Sequence, residues 1–204
     1  MSQTAAVDLH RDDTASKIGM WLFIFTELLL FGGLFVVYSV YRFEYSTAFH
    51  LASKELDVTI GAINTVILLI SSMTIAMSVS AIQMGKPKLT ITLASITVIL
   101  AIIFMINKYF EWGAKIEHHL YPGSPTLAEF GKGDILFFGL YFFMTGLHAL
   151  HIIIGVIFIG VVMVKVRKGT IHSGNYALLE NSGLYWHLVD LIWIFLFPLF
   201  YLIT

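Results

Sequence analysis

Residues 135–164 read ILFFGLYFFMTGLHALHIIIGVIFIGVVMV, and the run closes on Lys165, Arg167 and Lys168. No Asp, Glu, Lys or Arg interrupts it. An α-helix rises about 1.5 Å per residue, so roughly 20 apolar residues cross the hydrocarbon core of a bilayer. This run exceeds that length, and such a helix tilts or begins outside the bilayer. Hydrocarbon offers no water to backbone N–H and C=O groups, so the segment must bond internally as a helix.

Four further runs of the same kind surround it. Together the spans are expected at about 18–41, 58–84, 89–112, 135–164 and 182–203. A Gly85-Lys86-Pro87-Lys88 turn joins the second to the third, and a longer polar loop with His118, His119, Pro122, Gly123 and Pro125 precedes the fourth. The predicted fold is all-α: an integral membrane bundle of five transmembrane helices in a single domain, residues 17–204, behind a polar N-terminal tail, residues 1–16. That tail is of mixed charge, and the apolar run after it is too long for a signal-peptide core, so it reads as a span.

Composition agrees. The chain of 204 residues is 58% hydrophobic and 12% charged, about half the charged share of a soluble domain. Its formal net charge of −1 lacks the basic excess of a nucleic-acid binder. Cysteine is absent, which excludes disulfides, thiolate zinc sites, iron–sulfur clusters and covalently attached c-type haem. Short-loop Lys and Arg set orientation. With the N-terminus inside, Arg11, Lys17, Lys86, Lys88, Lys165, Arg167 and Lys168 lie inside, against Arg42, Lys54, Lys115 and Lys132 outside. The larger group belongs inside, so the expected topology is N-terminus inside and C-terminus outside.

An ionisable side chain in hydrocarbon costs about 2.5–3.5 kcal/mol on insertion scales, so each one must be paired, neutral or turned inward. They are Glu27, Lys108, Glu111, His148, His151, His187 and Asp190. Lys108 and Glu111 share a helix face and can pair, or the lysine can snorkel to the near interface. His148 shares a face with His151, and His187 with Asp190, where the aspartate can orient the imidazole. Glu27 and Asp190 fall near mid-membrane. Ser72, Ala76 and Ser80 recur every fourth residue, a spacing that allows close helix approach. Neither the Glu-x-x-His pairs of di-iron bundles nor His-Glu-x-x-His occurs. No reaction centre is evident.

Four blocks carry a resemblance that covers the chain from Gly19 onward. They are Trp21 to Phe31 around Glu27; Lys108-Tyr109-Phe110-Glu111-Trp112; Phe142 to His151 with Thr145, Gly146 and His148, followed by Gly155; and Tyr185-Trp186-His187 with Asp190 and Trp193. In this order, each on its own span, they resemble subunit III of the haem-copper respiratory oxidases, the cytochrome c oxidase and quinol oxidase family. The resemblance implies a non-catalytic subunit with no catalytic, cofactor-binding or metal-binding residues of its own. Haem and copper belong to partner subunits. It implies packing on subunit I, with subunit II and a small subunit IV as further partners, and phospholipid bound in a cleft. It also implies support of proton uptake and of enzyme integrity, and a bacterial cell membrane as location. Trp21 and Trp186 are the lipid-cleft candidates, and the seven intramembrane polar residues take structural, lipid-cleft or proton-uptake roles. The mitochondrial form has seven helices, and this chain lacks the counterparts of the first two.

Three other readings remain open at this point. One is an accessory subunit of a nitric oxide reductase in the same superfamily, which the Lys108 block also fits. A second is a free-standing transporter. Such proteins show repeats or broken helices at the site, whereas here only Pro198 interrupts a span. The third is a membrane enzyme with its own metal or haem.

Overall fold

The structure, a computed structural model, describes residues 13–203. Among them are seven helices and no strand: α1 (Asp13–Glu44), α2 (Ser46–Ser53), α3 (Val58–Gln83), α4 (Pro87–Glu117), α5 (Pro125–Glu129), α6 (Lys132–Arg167) and α7 (Ala177–Tyr201). Five are long and apolar enough to cross a membrane: α1, α3, α4, α6 and α7. Residues 1–12 of the expected tail lie outside the described residues. Its last four residues, 13–16, already belong to α1. Three of the spans, α1, α4 and α6, run past the expected limits at both ends, because helix continues into the polar residues that flank each apolar run. The loops also hold two short helices, α2 and α5, that apolar run length alone did not predict.

Local chemistry sets the helix ends. Asp57 caps α3, its Oδ1 accepting from Thr59 N at 2.8 Å and Ile60 N at 3.2 Å, as an N-cap aspartate should. At the other end Lys86 N donates to Ala81 O at 3.0 Å and Gly85 N to Ile82 O at 2.9 Å. This is a Schellman turn, with Gly85 at φ +70°. Pro87 then opens α4, where its missing N–H costs nothing. Helix α6 stops the same way: Thr170 N donates to Lys165 O at 3.0 Å, and Gly169 sits at φ +74°.

α7 is the hub. It packs on α3, α6 and α1, and 56% of its most apolar stretch is buried against 11% for α1. Helices α3 and α4 form the most extensive pair, an antiparallel hairpin. The face α3 buries runs through Gly61, Asn64, Leu68, Ser71, Ile75, Ser78 and Ile82. The predicted stripe of Ser72, Ala76 and Ser80 is therefore not the packing face: Ala76 and Ser80 are exposed, and only Ser72 is half-buried. Small residues recur on both faces of this helix, and spacing alone did not distinguish them.

Polar bonds cross between helices throughout. Thr74 and Thr97 hydroxyls meet at 2.7 Å, and Asn107 Nδ2 donates to Asn64 Oδ1 at 2.8 Å, tying α3 to α4. Trp186 Nε1 donates to Ser71 Oγ at 3.0 Å and Trp193 Nε1 to Thr65 Oγ1 at 3.1 Å, tying α7 to α3. Each such bond contributes roughly 0.6–2 kcal/mol in a membrane. Tyr38 on α1 donates to Leu199 O, one of the last carbonyls of α7, which have no intrahelical donor.

Candidate functional site

The intramembrane polar residues separate into distinct groups along the bundle. The densest joins α4, α6 and α7. Lys108 Nζ donates to Glu111 Oε2 at 3.1 Å, to Tyr141 Oη at 3.1 Å and to Tyr201 Oη at 3.0 Å. An ammonium has three donors, and all three are engaged. Both tyrosine hydroxyls in turn donate to Glu111 Oε1, Tyr141 at 2.6 Å. The rings of Tyr141 and Trp193 face the ammonium at 4.9 and 5.4 Å, adding cation–π attraction. Lys108 is 1% exposed, so it does not snorkel to the interface. The i,i+3 spacing announced Lys108 and Glu111. Tyr141 and Tyr201 were missed, because partners on distant helices leave no local signal.

The second group joins α1 to α6 near mid-bundle. Glu27 Oε2 lies 2.9 Å from His151 Nε2. His151 Nδ1 lies 2.7 Å from Leu147 O. A carbonyl only accepts, so Nδ1 carries a proton. The hydrogen bond between Nε2 and Oε2 then needs one more proton, placed either on the carboxyl or on the imidazole. The geometry thus confines one proton between two helices. Tyr185 donates to His151 O at 3.0 Å, and Phe31 packs edge-on to the imidazole. The side chains of Glu27 and His151 are 15% and 9% exposed, so the pair sits at the rim of the bundle.

His187 and Asp190 are the third group, and the expected contact between them is replaced. His187 Nδ1 is 2.7 Å from Ser72 Oγ on α3. Asp190 is 3% exposed, and neither carboxyl oxygen has a hydrogen-bond partner among the described residues. His148 is fully buried between Phe104 and Trp193, with both ring nitrogens also unpartnered among the described residues. Its shared face with His151 therefore does not bring the two rings to a common partner. Among the described residues no three His, Asp or Glu side chains come together as a metal site.

Of the two cleft candidates, Trp21 is 60% exposed on α1, whereas Trp186 is fully buried. Gly155 of α6 explains the burial. A Cβ built there would meet Trp186 Cε3 and Cζ3 at 2.9 Å, so the absent side chain makes room for the indole. Trp186 has no surface left for a lipid, and its place in the cleft is corrected to a place in the core. An apolar groove of about 550 Å³ opens elsewhere, between α4 and α6, lined by Ala101, Met105, Tyr109, Ile152 and Val156 among others.

Comparison with known proteins adds an independent finding. The family described as cytochrome c oxidase subunit III matches residues 8–204. A "heme-copper oxidase subunit I+III" of Aeropyrum pernix is 31% identical over 92% of this chain, which spans only 22% of that longer protein. A "probable quinol oxidase subunit 3" of Staphylococcus saprophyticus is 27% identical, over 92% of this chain and 89% of the relative. A "cytochrome c oxidase subunit 3" of Yarrowia lipolytica is 32% identical, over 91% of this chain and 66% of the relative.

Proposed function

The chain belongs to the cytochrome c oxidase subunit III family, and from that premise we propose that it serves as the non-catalytic subunit III of a proton-pumping haem-copper terminal oxidase in a bacterial cell membrane. It docks on subunit I, beside subunit II and a small subunit IV, and the complex reduces oxygen with cytochrome c or quinol as donor. The observation that carries this reading is the relative named as subunits I and III in one polypeptide, of which this chain matches a part. Covalent fusion supports a stable contact between the two parts. Haem and copper stay with the partner subunits. Among the described residues no cluster of three His, Asp or Glu side chains offers a metal site, which agrees with this assignment.

This chain's own work is to hold a proton and lipid beside the catalytic subunit. The Glu27–His151 pair keeps one exchangeable proton at the bundle rim, where it can buffer proton uptake from the inner side. The groove between α4 and α6 accepts acyl chains by apolar contact alone.

The test is proton release and turnover-dependent survival in the assembled complex carrying Glu27→Gln. A glutamine preserves size but cannot lose a proton. The reading expects a lower proton yield per oxygen and a shorter functional lifetime, with the assembled subunits unchanged. Unchanged yield and lifetime would make Glu27 purely structural. Nitric oxide consumption in place of oxygen uptake would assign the chain to a reductase of the same superfamily.

A further inference from the structure

The end of the bundle that carries the α3–α4 turn and the α6–α7 connection holds a pocket of about 500 Å³ between them. Its walls are of two kinds. Ile82, Ile91 and Ile171 line the inner part, and Ile82 and Ile171 belong to a separate buried apolar cluster. Lys88, Arg167 and His172 line the mouth. Neither Lys88 nor Arg167 forms an ion pair with a described residue, and both are exposed. His172 Nδ1 accepts from Gly174 N at 3.2 Å, so that nitrogen bears no proton and Nε2 is the ring's donor. No Asp or Glu lines the pocket.

The pocket sits where the spans end, at the level a bilayer's headgroups occupy. It therefore offers fixed positive charge at headgroup depth and apolar surface directly below. A soluble anion would use only the first feature, and a zwitterionic lipid would meet the cations with its own positive group. We infer that this pocket binds the phosphodiester headgroup of an anionic phospholipid, with Lys88 and Arg167 on the phosphate and the start of an acyl chain against Ile82, Ile91 and Ile171. Basic pockets between spans at the cytoplasmic side recognise such headgroups. The site is separate from the α4–α6 groove and does not rest on which catalytic partner the chain joins.

The experiment is native mass spectrometry of the full chain in its purified, delipidated complex, titrated with phosphatidylglycerol or phosphatidylcholine of matched chains. The wild type should retain phosphatidylglycerol preferentially. Each cation near anionic lipid is worth a factor of about five, so K88Q/R167Q should weaken that preference by about 30-fold. K54Q/K132Q, which removes two cations from the opposite end, should leave it intact. Equal retention of both lipids by the wild type, or unchanged preference in K88Q/R167Q, would overturn the proposal. So would displacement of the lipid by equimolar inorganic phosphate, which would reveal a simple anion site. If K88Q/R167Q fails to assemble, the wild-type preference and its loss at high salt decide the matter alone.

Discussion

Lys108 spends all three of its donors inside the bundle, on one carboxylate and two phenols, so its charge is matched rather than merely hidden. Removing one member of a buried pair leaves the other charge uncompensated and costs about 3–5 kcal/mol, whereas replacing both with apolar groups of similar volume is often neutral. Lys108→Met should therefore lower the thermal midpoint sharply, and Lys108→Met with Glu111→Leu should recover most of the loss. Thermal unfolding in detergent reads both, and a double variant no better than the single one would contradict the pairing. The same scale governs Glu27. If one proton is shared with His151, the glutamate carboxyl should give an infrared band that responds to Glu27→Gln and to His151→Phe alike. A band that ignores His151→Phe would show the pair to be uncoupled.

At the scale of elements, glycine position separates packing from permissiveness. Gly155 and Gly146 lie on the same helix and in neighbouring parts of one sequence block. A Cβ at Gly155 would press on the rigid, buried Trp186 ring at 2.9 Å, while one at Gly146 would meet nothing within 4 Å. Overpacking typically costs about 1–3 kcal/mol. Gly155→Ala should thus destabilise the chain measurably, and Gly146→Ala should be neutral or slightly stabilising, since alanine is the better helix former. Equal effects in a thermal melt would refute the close α6–α7 contact. This is also where sequence reading reaches its limit. The five spans were legible because hydrocarbon demands length and apolarity. Which face of each span turns inward was not, because lipid and protein core are equally apolar and periodicity cannot separate them. Hence Trp186 read as a cleft residue beside Trp21, and Ser72, Ala76 and Ser80 read as a packing stripe. Charged residues were the exception. Their desolvation cost forces them inward, which made Lys108, Glu111 and Glu27 readable while the apolar-flanked Tyr141 and Tyr201 stayed hidden.

For the whole molecule, the helices alternate so that the α3–α4 turn, the α6–α7 connection and the start of α1 share one end. Ser16 meets Asn181 there at 2.9 Å, and Lys17 meets Glu180 at 3.0 Å. That end gathers Lys86, Lys88, Lys165, Arg167 and Lys168, so the positive-inside rule predicts it on the inner side. The absence of native cysteine makes the topology directly measurable. In intact cells, Lys54→Cys should react with a membrane-impermeant maleimide, and Lys168→Cys only after permeabilisation. The reverse pattern would invert the topology and move the basic pocket to the outer face.

The membership of this chain in a respiratory complex is tested most directly by isolating it from its native membrane in mild detergent, with a reduced-minus-oxidised spectrum and identification of every co-purifying subunit. The account predicts a haem spectrum together with a large copper-containing catalytic subunit. A chain recovered alone and colourless, under conditions that keep other respiratory complexes intact, would contradict it and leave transport by the bundle itself as the reading to pursue.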